Sequence, residues 1–285
     1  RFIDKMVLIH IKKTDLNQFI YEATRGTPIA QLIQDIVEIN NLRVKVDRAA
    51  HFIEELVKAG PLKPEESRGL AEGENSTEPD MPGHRFCVDE NHYRTGWCVP
   101  EDLGIRIFET TQAAKRLIHK TNAERRIPLT RYQLLEALDL MKGAVMMAYP
   151  AYHGLPPWEP AMLVLESPDI KELAQGEDIF EAETSSIWFA GKEMMRGKDL
   201  GFYVKGSENT KIIAKIQKQG QGAPAREPVV DADTQKNMIA FYHKKQEEAK
   251  KLMSVDEDEY LNSAWADPKN LKRQLNGTGD VRWRM

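Results

Sequence analysis

Cysteine is nearly absent: two residues in 285, too few for the disulfide framework that staples small secreted domains. Long apolar runs are missing too. No stretch approaches the roughly 18 residues of a membrane-spanning helix, and the first residues carry no secretory leader pattern. Neither sign of charge dominates. Against 40 Lys and Arg stand 44 Asp and Glu, a formal net of −4, whereas a dedicated nucleic-acid binder shows a basic surplus. These absences lead us to expect a soluble intracellular protein with neither membrane nor nucleic acid as partner.

Catalytic signatures are equally scarce. The sequence holds no Walker-type phosphate loop, zincin His-Glu-x-x-His, Gly-x-Ser-x-Gly elbow or EF-hand loop. Gly220-Gln-Gly-Ala-Pro-Ala225 fits the loose Gly-x-Gly-x-x-Ala dinucleotide pattern. That motif needs a strand before it and a helix after it. A helix is expected before it here, and Pro224 and Pro228 oppose one after it, so an ordered turn is the reading. His84, Cys87, His92 and Cys98 form the one metal-like cluster. They are the right zinc donors, but His-x2-Cys-x4-His-x5-Cys is not a common finger spacing. A Cys87–Cys98 disulfide is a further alternative, and ordinary loop residues are the preferred one. No catalytic residue, cofactor or metal is expected.

What is present is a patterned α+β chain. Met6 to Lys12 alternates, a polar patch follows, and Gln18 to Ala23 reads as the partner strand of a hairpin. Thr27-Pro28 opens a helix with Ile29, Leu32, Ile33, Ile36 and Val37 on one face. Leu42 to Val46 is a short extended candidate, and a second helix runs from Val46 to Gly60-Pro61. Strand, strand, helix, short strand is the opening order of a β-grasp (ubiquitin-like) module. Further on, a helix is expected from Thr110 or Thr111 to Pro128. Another is expected from Thr130, with capping-box spacing to Gln133 and its end at Gly143. Ala144–Tyr149 and Met162–Leu165 read as strands, and a helix starts at Ser167-Pro168-Asp169. Helices are expected over 179–195, 210–219 and 234–253. Four acids, Asp256 to Glu259, read as a solvated face.

Four segments result: a β-grasp-like α+β module over 1–60, a Pro/Gly-rich linker or wrapping loop over 61–104, an α/β middle domain with a short-stranded sheet over 105–205, and a helical, extended partner-binding tail over 206–285. In the tail, Lys211, Lys215 and Lys218 fall on one side of the expected short helix. They could meet an acidic partner such as a tubulin surface, or simply face solvent. Trp265 and Trp283 sit in polar surroundings, as interface anchors do, unless they fold back onto their own domain.

Several fragments carry a resemblance. Thr210-Lys-Ile-Ile-Ala-Lys-Ile-Gln217 followed by Gly220-Gln-Gly-Ala-Pro-Ala-Arg-Glu-Pro228 resembles the signature of the kurly family of cilia- and flagella-associated proteins. Gly143-Ala-Val-Met146, Tyr149-Pro150, Gly154-Leu-Pro-Pro157, Tyr260-Leu-Asn-Ser263, Trp265-Ala-Asp267, Leu271-Lys-Arg273 and Trp283 fit it in the same order. The opening Met6-Val-Leu is similar to the family's usual start, and Arg1 to Lys5 precede it. The match is poor over about 61–108. The resemblance implies a non-enzymatic protein of cytoplasm and cilium (axoneme and basal body), required for cilium motility and for dynein arms. It implies axonemal dynein subunits or dynein assembly factors as partners, with tubulin of the doublet microtubule and other axonemal proteins as alternatives. Arg226 and Arg273, which lie in these fragments, join the candidate contact residues.

Overall fold

β-Branched alternation makes the first hairpin. Strand β1 (Met6–Lys12) pairs antiparallel with β2 (Gln18–Thr24), Met6 opposite Thr24 and Lys12 opposite Gln18. Val7, Ile9 and Ile11 all point to one side and are buried, as period-two patterning requires. The computed structural model describes residues 6–14, 16–70, 85–87, 89–167, 179–204, 210–224 and 232–254.

Helix α1 (Ile29–Ala59) crosses this sheet as one piece of 31 residues. The extended interruption expected over Leu42–Val46 does not occur. Buried positions step through it at helical spacing, from Ile36 and Ile39 to Arg43, Val46, Ala50 and Ile53. Packing along both flanks outweighs the weak helix preference of Asn40, Asn41 and the valines. No side chain caps its start. Instead the Ile29 N–H donates to the Lys198 carbonyl at 2.9 Å and Leu200 N–H donates to the Thr27 carbonyl at 3.0 Å. A distant segment thus satisfies groups that a helix start leaves open. Its end is set by Gly60, at φ 76°, where a Cβ would lie 2.3 Å from the Trp97 carbonyl oxygen; only glycine fits.

A small hairpin, β3 (Arg85–Phe86) with β4 (Trp97–Cys98), follows. Helices α2 (Glu101–Ile118), α3 (Lys120–Glu124), α4 (Arg131–Ala148) and α5 (Pro160–Glu166) come next. The α2 helix begins at Glu101, earlier than the expected Thr110, because Pro100 can precede a helix and Glu101 and Asp102 suit its positive end. The capping box of α4 forms as expected: Gln133 N–H donates to Thr130 Oγ1 at 3.3 Å and Thr130 N–H donates to Gln133 Oε1 at 3.0 Å. Gly143 lies inside α4 rather than at its end. The strands expected at Ala144–Tyr149 and Met162–Leu165 are the last turns of α4 and most of α5. Short apolar runs do not distinguish a buried strand from a buried helix. Helices α1, α2 and α4 pack on one another.

Two further corrections fall in the second half. The helix expected over 179–195 is a hairpin, β5 (Ser185–Phe189) with β6 (Lys192–Glu193). Ala190 and Gly191 turn it, both at positive φ, 50° and 77°, as a two-residue type I′ turn demands. The short helix α6 (Leu200–Tyr203) leads on to β7 (Lys211–Lys218), which replaces the helix expected over 210–219. Ile212, Ala214 and Ile216 are buried on alternate positions, a two-residue period that an i, i+1, i+4 reading obscures. A strand therefore precedes the Gly220 turn, where a helix had been expected.

The sheet runs β2-β1-β7-β5-β6, with β7 parallel to β1 and antiparallel to β5. That order, with a parallel pair of first and last strands and a helix across one face, is the β-grasp arrangement. The α+β class and the β-grasp reading hold, but the sheet is completed far downstream. Its first half lies in 6–24 and its second in 185–218, with the helices between them inserted. Arg1–Pro224 forms one compact unit that runs through the expected boundaries at 60, 104 and 205, and Ala225–Met285 forms a second. One core joins Val7, Ile9, Ile36, Ile53, Leu134, Met141, Ile187 and Ile212. In the second unit, α7 (Ala232–Ser254) carries exposed Met238, Phe241 and Tyr242 at helical spacing. The helix expected at Ser167 falls outside the described residues beyond its first residue.

Candidate interaction surface

Register decides which side chains share the sheet face opposite α1. Leu8, His10 and Lys12 on β1 stand beside Lys211, Ile213 and Lys215 on β7, and Lys215 stands beside Trp188 on β5. Toward β2 this face is closed. Ile20, His10 and Gln18 are buried, His10 Nε2 and Gln18 Oε1 meet at 2.8 Å, and Leu129 N–H donates to the Ile20 carbonyl at 2.8 Å. Toward β7 it opens. Ile213 is 49% exposed in the middle of a central strand, with Lys211 exposed and Leu8, Lys215 and Trp188 half-buried around it. The Trp188 indole N–H donates to Ser186 Oγ at 3.1 Å, which fixes its ring. The result is an apolar centre framed by two ammonium groups. An isoleucine half in water on an inner strand gains little for its own fold. It suits a surface that another molecule covers.

Lys211 and Lys215 share this face; Lys218 does not. On a helix, positions 211, 215 and 218 would align. On a strand, Lys218 has the parity of Ile212, Ala214 and Ile216 and pairs with Ser185 on the core side, exposed only because the strand ends there. Ile213, Leu8 and Trp188 were missed at the sequence level. Their signal was present, since a second isoleucine beside Ile212 must face outward if the run is a strand.

The segment between α1 and α2 is ordered where it is described, and it wraps the C-terminal end of α1. Lys63 N–H donates to the Tyr93 carbonyl and Thr95 N–H to the Pro61 carbonyl, both at 2.9 Å. The Arg94 side chain, 6% exposed, meets the fully buried Glu159 at 3.2 Å and Glu55 at 3.1 Å, and donates to the Gly60 carbonyl at 2.8 Å. Glu159 also accepts the Leu62 N–H at 2.8 Å. Asp89 anchors the turn by accepting N–H groups from Tyr93 at 2.9 Å and Arg94 at 3.0 Å. Burial opposes its ionisation, but these bonds outweigh burial and hold its carboxyl below the usual range.

Cys87 and Cys98 are free thiols. Cys98 donates to the Lys58 carbonyl at 2.9 Å. Burial first, then the neighbouring Cys87, pushes its thiol up to about 12, the reverse of what a metal-binding or nucleophilic thiolate needs. His92 sits in the Asp89 turn at φ 55°. Among the described residues no group of three metal-ligating side chains converges. His84, Arg226, Trp265, Arg273 and Trp283 lie outside the described residues.

The sequence compared with known proteins settles the kinship. The profile of the family described as cilia- and flagella-associated protein 298 matches residues 185–281. Cilia- and flagella-associated protein 298-B of Xenopus laevis is 39% identical over 98% of this chain and 99% of its own. The Homo sapiens protein of that family name is 37% identical over the same shares. The chain belongs to the cilia- and flagella-associated protein 298 family. The family match begins at β5 and takes in β6 and β7, so it includes the strands that complete the sheet. The Drosophila melanogaster member is 31% identical, again over 98% of the chain. No solved structure matches.

Proposed function

We propose that this cilia- and flagella-associated chain acts without enzymatic chemistry, as an adaptor or assembly factor for axonemal dynein arms required for cilium motility. The observation that carries the contact reading is Ile213, held half-exposed on a central strand between Lys211 and Lys215. A surface of that kind works by complementarity: the apolar centre supplies affinity, and the lysines select and steer an acidic partner. Axonemal dynein subunits or dynein assembly factors are the partners proposed for it, in the cytoplasm where arms are put together and in the cilium. A second reading, a resident axonemal protein seated on the doublet microtubule or on a dynein or radial-spoke base, draws on the same lysines, which suit the acidic surface of tubulin.

Replacing Lys211 and Lys215 with Glu should weaken capture of dynein-arm components from ciliated-cell extract by roughly tenfold or more and leave the melting temperature unchanged. Undiminished capture by the doubly reversed chain would remove this face as the contact. Salt extraction of demembranated axonemes separates the two readings. An assembly factor leaves with the soluble pool, and a structural component stays.

A further inference from the structure

Register lays an apolar line across the open sheet face. Met6 and Leu8 are outward positions of β1. Ile213 lies one strand over from Leu8 and two residues further along, because Leu8 stands beside Lys211. Trp188 lies one strand beyond Ile213 and again two residues on, because it stands beside Lys215. The side chains of Met6, Leu8, Ile213 and Trp188 thus follow a diagonal over β1, β7 and β5. At about 3.3 Å per residue and about 4.8 Å between strands, the line is roughly 22 Å long. Met6 and Ile213 on it are exposed, and Leu8 and Trp188 are half-buried.

Strand geometry limits what can lie there. β1, β7 and β5 each have a neighbouring strand on both sides, so this is a face and not an edge, and it offers no backbone ladder to an added strand. An extended segment laid over it would bury its own N–H and C=O groups without partners, which is costly. A helix satisfies its own backbone and needs only an apolar seam. About 15 residues, or four turns, span 22 Å, and a helix is roughly 10–12 Å across. Three strands carry the line, about 10 Å from first to last.

Charge selects the kind of helix. Buried His10 aside, the charged side chains on the outward positions of β1, β7 and β5 are all lysines: Lys12, Lys211 and Lys215. Glu22 and Glu193 share the face but stand on the flanking strands β2 and β6. Lys211, beside Leu8, is exposed. A seam bordered by ammonium groups favours an occupant whose own apolar stripe is bordered by carboxylates.

We propose that the occupant of this face is a single amphipathic helix of the partner, about four turns long, with carboxylates flanking its apolar side opposite Lys211 and Lys215. This rests on the reading of the face as the contact surface and specifies the form of what it contacts.

Photo-cross-linking with the full chain tests it. Benzoylphenylalanine replaces Met6 in one chain and Trp188 in another, at the two ends of the line. Each chain is irradiated in extract of ciliated cells, and the cross-linked peptides are sequenced by mass spectrometry. Should the Trp188 replacement not fold, Gln217, an outward position of β7, serves at that end. The two probes should reach one partner segment at sites about 15 residues apart, with each probe's sites recurring every three or four residues and Asp or Glu among the residues between. Sites about seven residues apart with a two-residue recurrence would mean an extended partner. That result overturns the helix and leaves the contact reading standing. Cross-links scattered over separate segments, or running only to this chain's own residues, also overturn it. So does the absence of partner cross-links from both probes. In that case capture by the Lys211→Glu/Lys215→Glu chain tells whether the contact reading falls as well.

Discussion

At the residue scale, buried charge is placed where segments distant in sequence must be joined. Arg94 ties the wrapping segment to Glu55 on α1 and to Glu159 just before α5, and it closes over the Gly60 carbonyl. Such a pair adds little over an apolar substitute, but removing one partner strands the other. Arg94→Ala should therefore cost about 3–5 kcal/mol, read from the urea midpoint, and the paired change Arg94→Met/Glu159→Met should recover much of it. An Arg94→Ala chain as stable as the parent would show that Glu159 finds another counter-charge. Cys98 gives a pH test. Its folded-state thiol ionises near 12, above the ordinary thiol value of about 8.5. The protonated form is thus favoured by folding, and that contribution declines as pH rises from the ordinary value toward 12. Iodoacetamide at pH 8 should label Cys87 well before Cys98, as read by peptide mass spectrometry.

At the element scale, β7 concentrates the consequences. As a helix it would present three lysines on one stripe. As a strand it buries Ile212, Ala214 and Ile216 and turns Lys211, Ile213, Lys215 and Gln217, but not Lys218, to the opposite face. Reversal of Lys218 should accordingly leave partner capture intact while reversal of Lys211 and Lys215 weakens it by roughly tenfold or more, a contrast that a helical stripe would not produce. The same ambiguity explains the other misread elements. Hairpin β5–β6 is strand-forming in composition, with Ile187, Trp188 and Phe189 before Gly191. A helical frame nonetheless fits when the buried positions are few. The reverse error at Ala144–Tyr149 has the same cause, because a run of six apolar residues carries too little periodicity to choose. Where a sequence signal is stereochemically specific it succeeded. The Thr130–Gln133 box and the Gly60 stop have one physical solution each.

At the scale of the whole molecule, the β-grasp sheet is split by the inserted helices, and its central strand arrives last. A chain ending at Pro224 should keep a single cooperative thermal transition, because Arg1–Pro224 is a compact unit in itself. A chain ending at Val204 lacks β7. It leaves β1 and β5 unpaired on their shared side and removes three core side chains, worth roughly 1–3 kcal/mol each. It should show no cooperative transition by calorimetry or circular dichroism. A sharp transition there would mean that the sheet does not need its middle.

The amino-acid sequence by itself determined the α+β class, the first hairpin, the start and stop of α1, the capping of α4 and the family signature, because each rests on residues close together in the chain. Tertiary structure alone decided that β7 lies between β1 and β5, that Lys218 parts from Lys211 and Lys215, and that Ile213 joins Leu8 and Trp188 on one face. Those outcomes depend on pairings between residues up to about two hundred positions apart. Local propensity is too weak to encode such pairings, whereas burial of a shared apolar face makes them decisive.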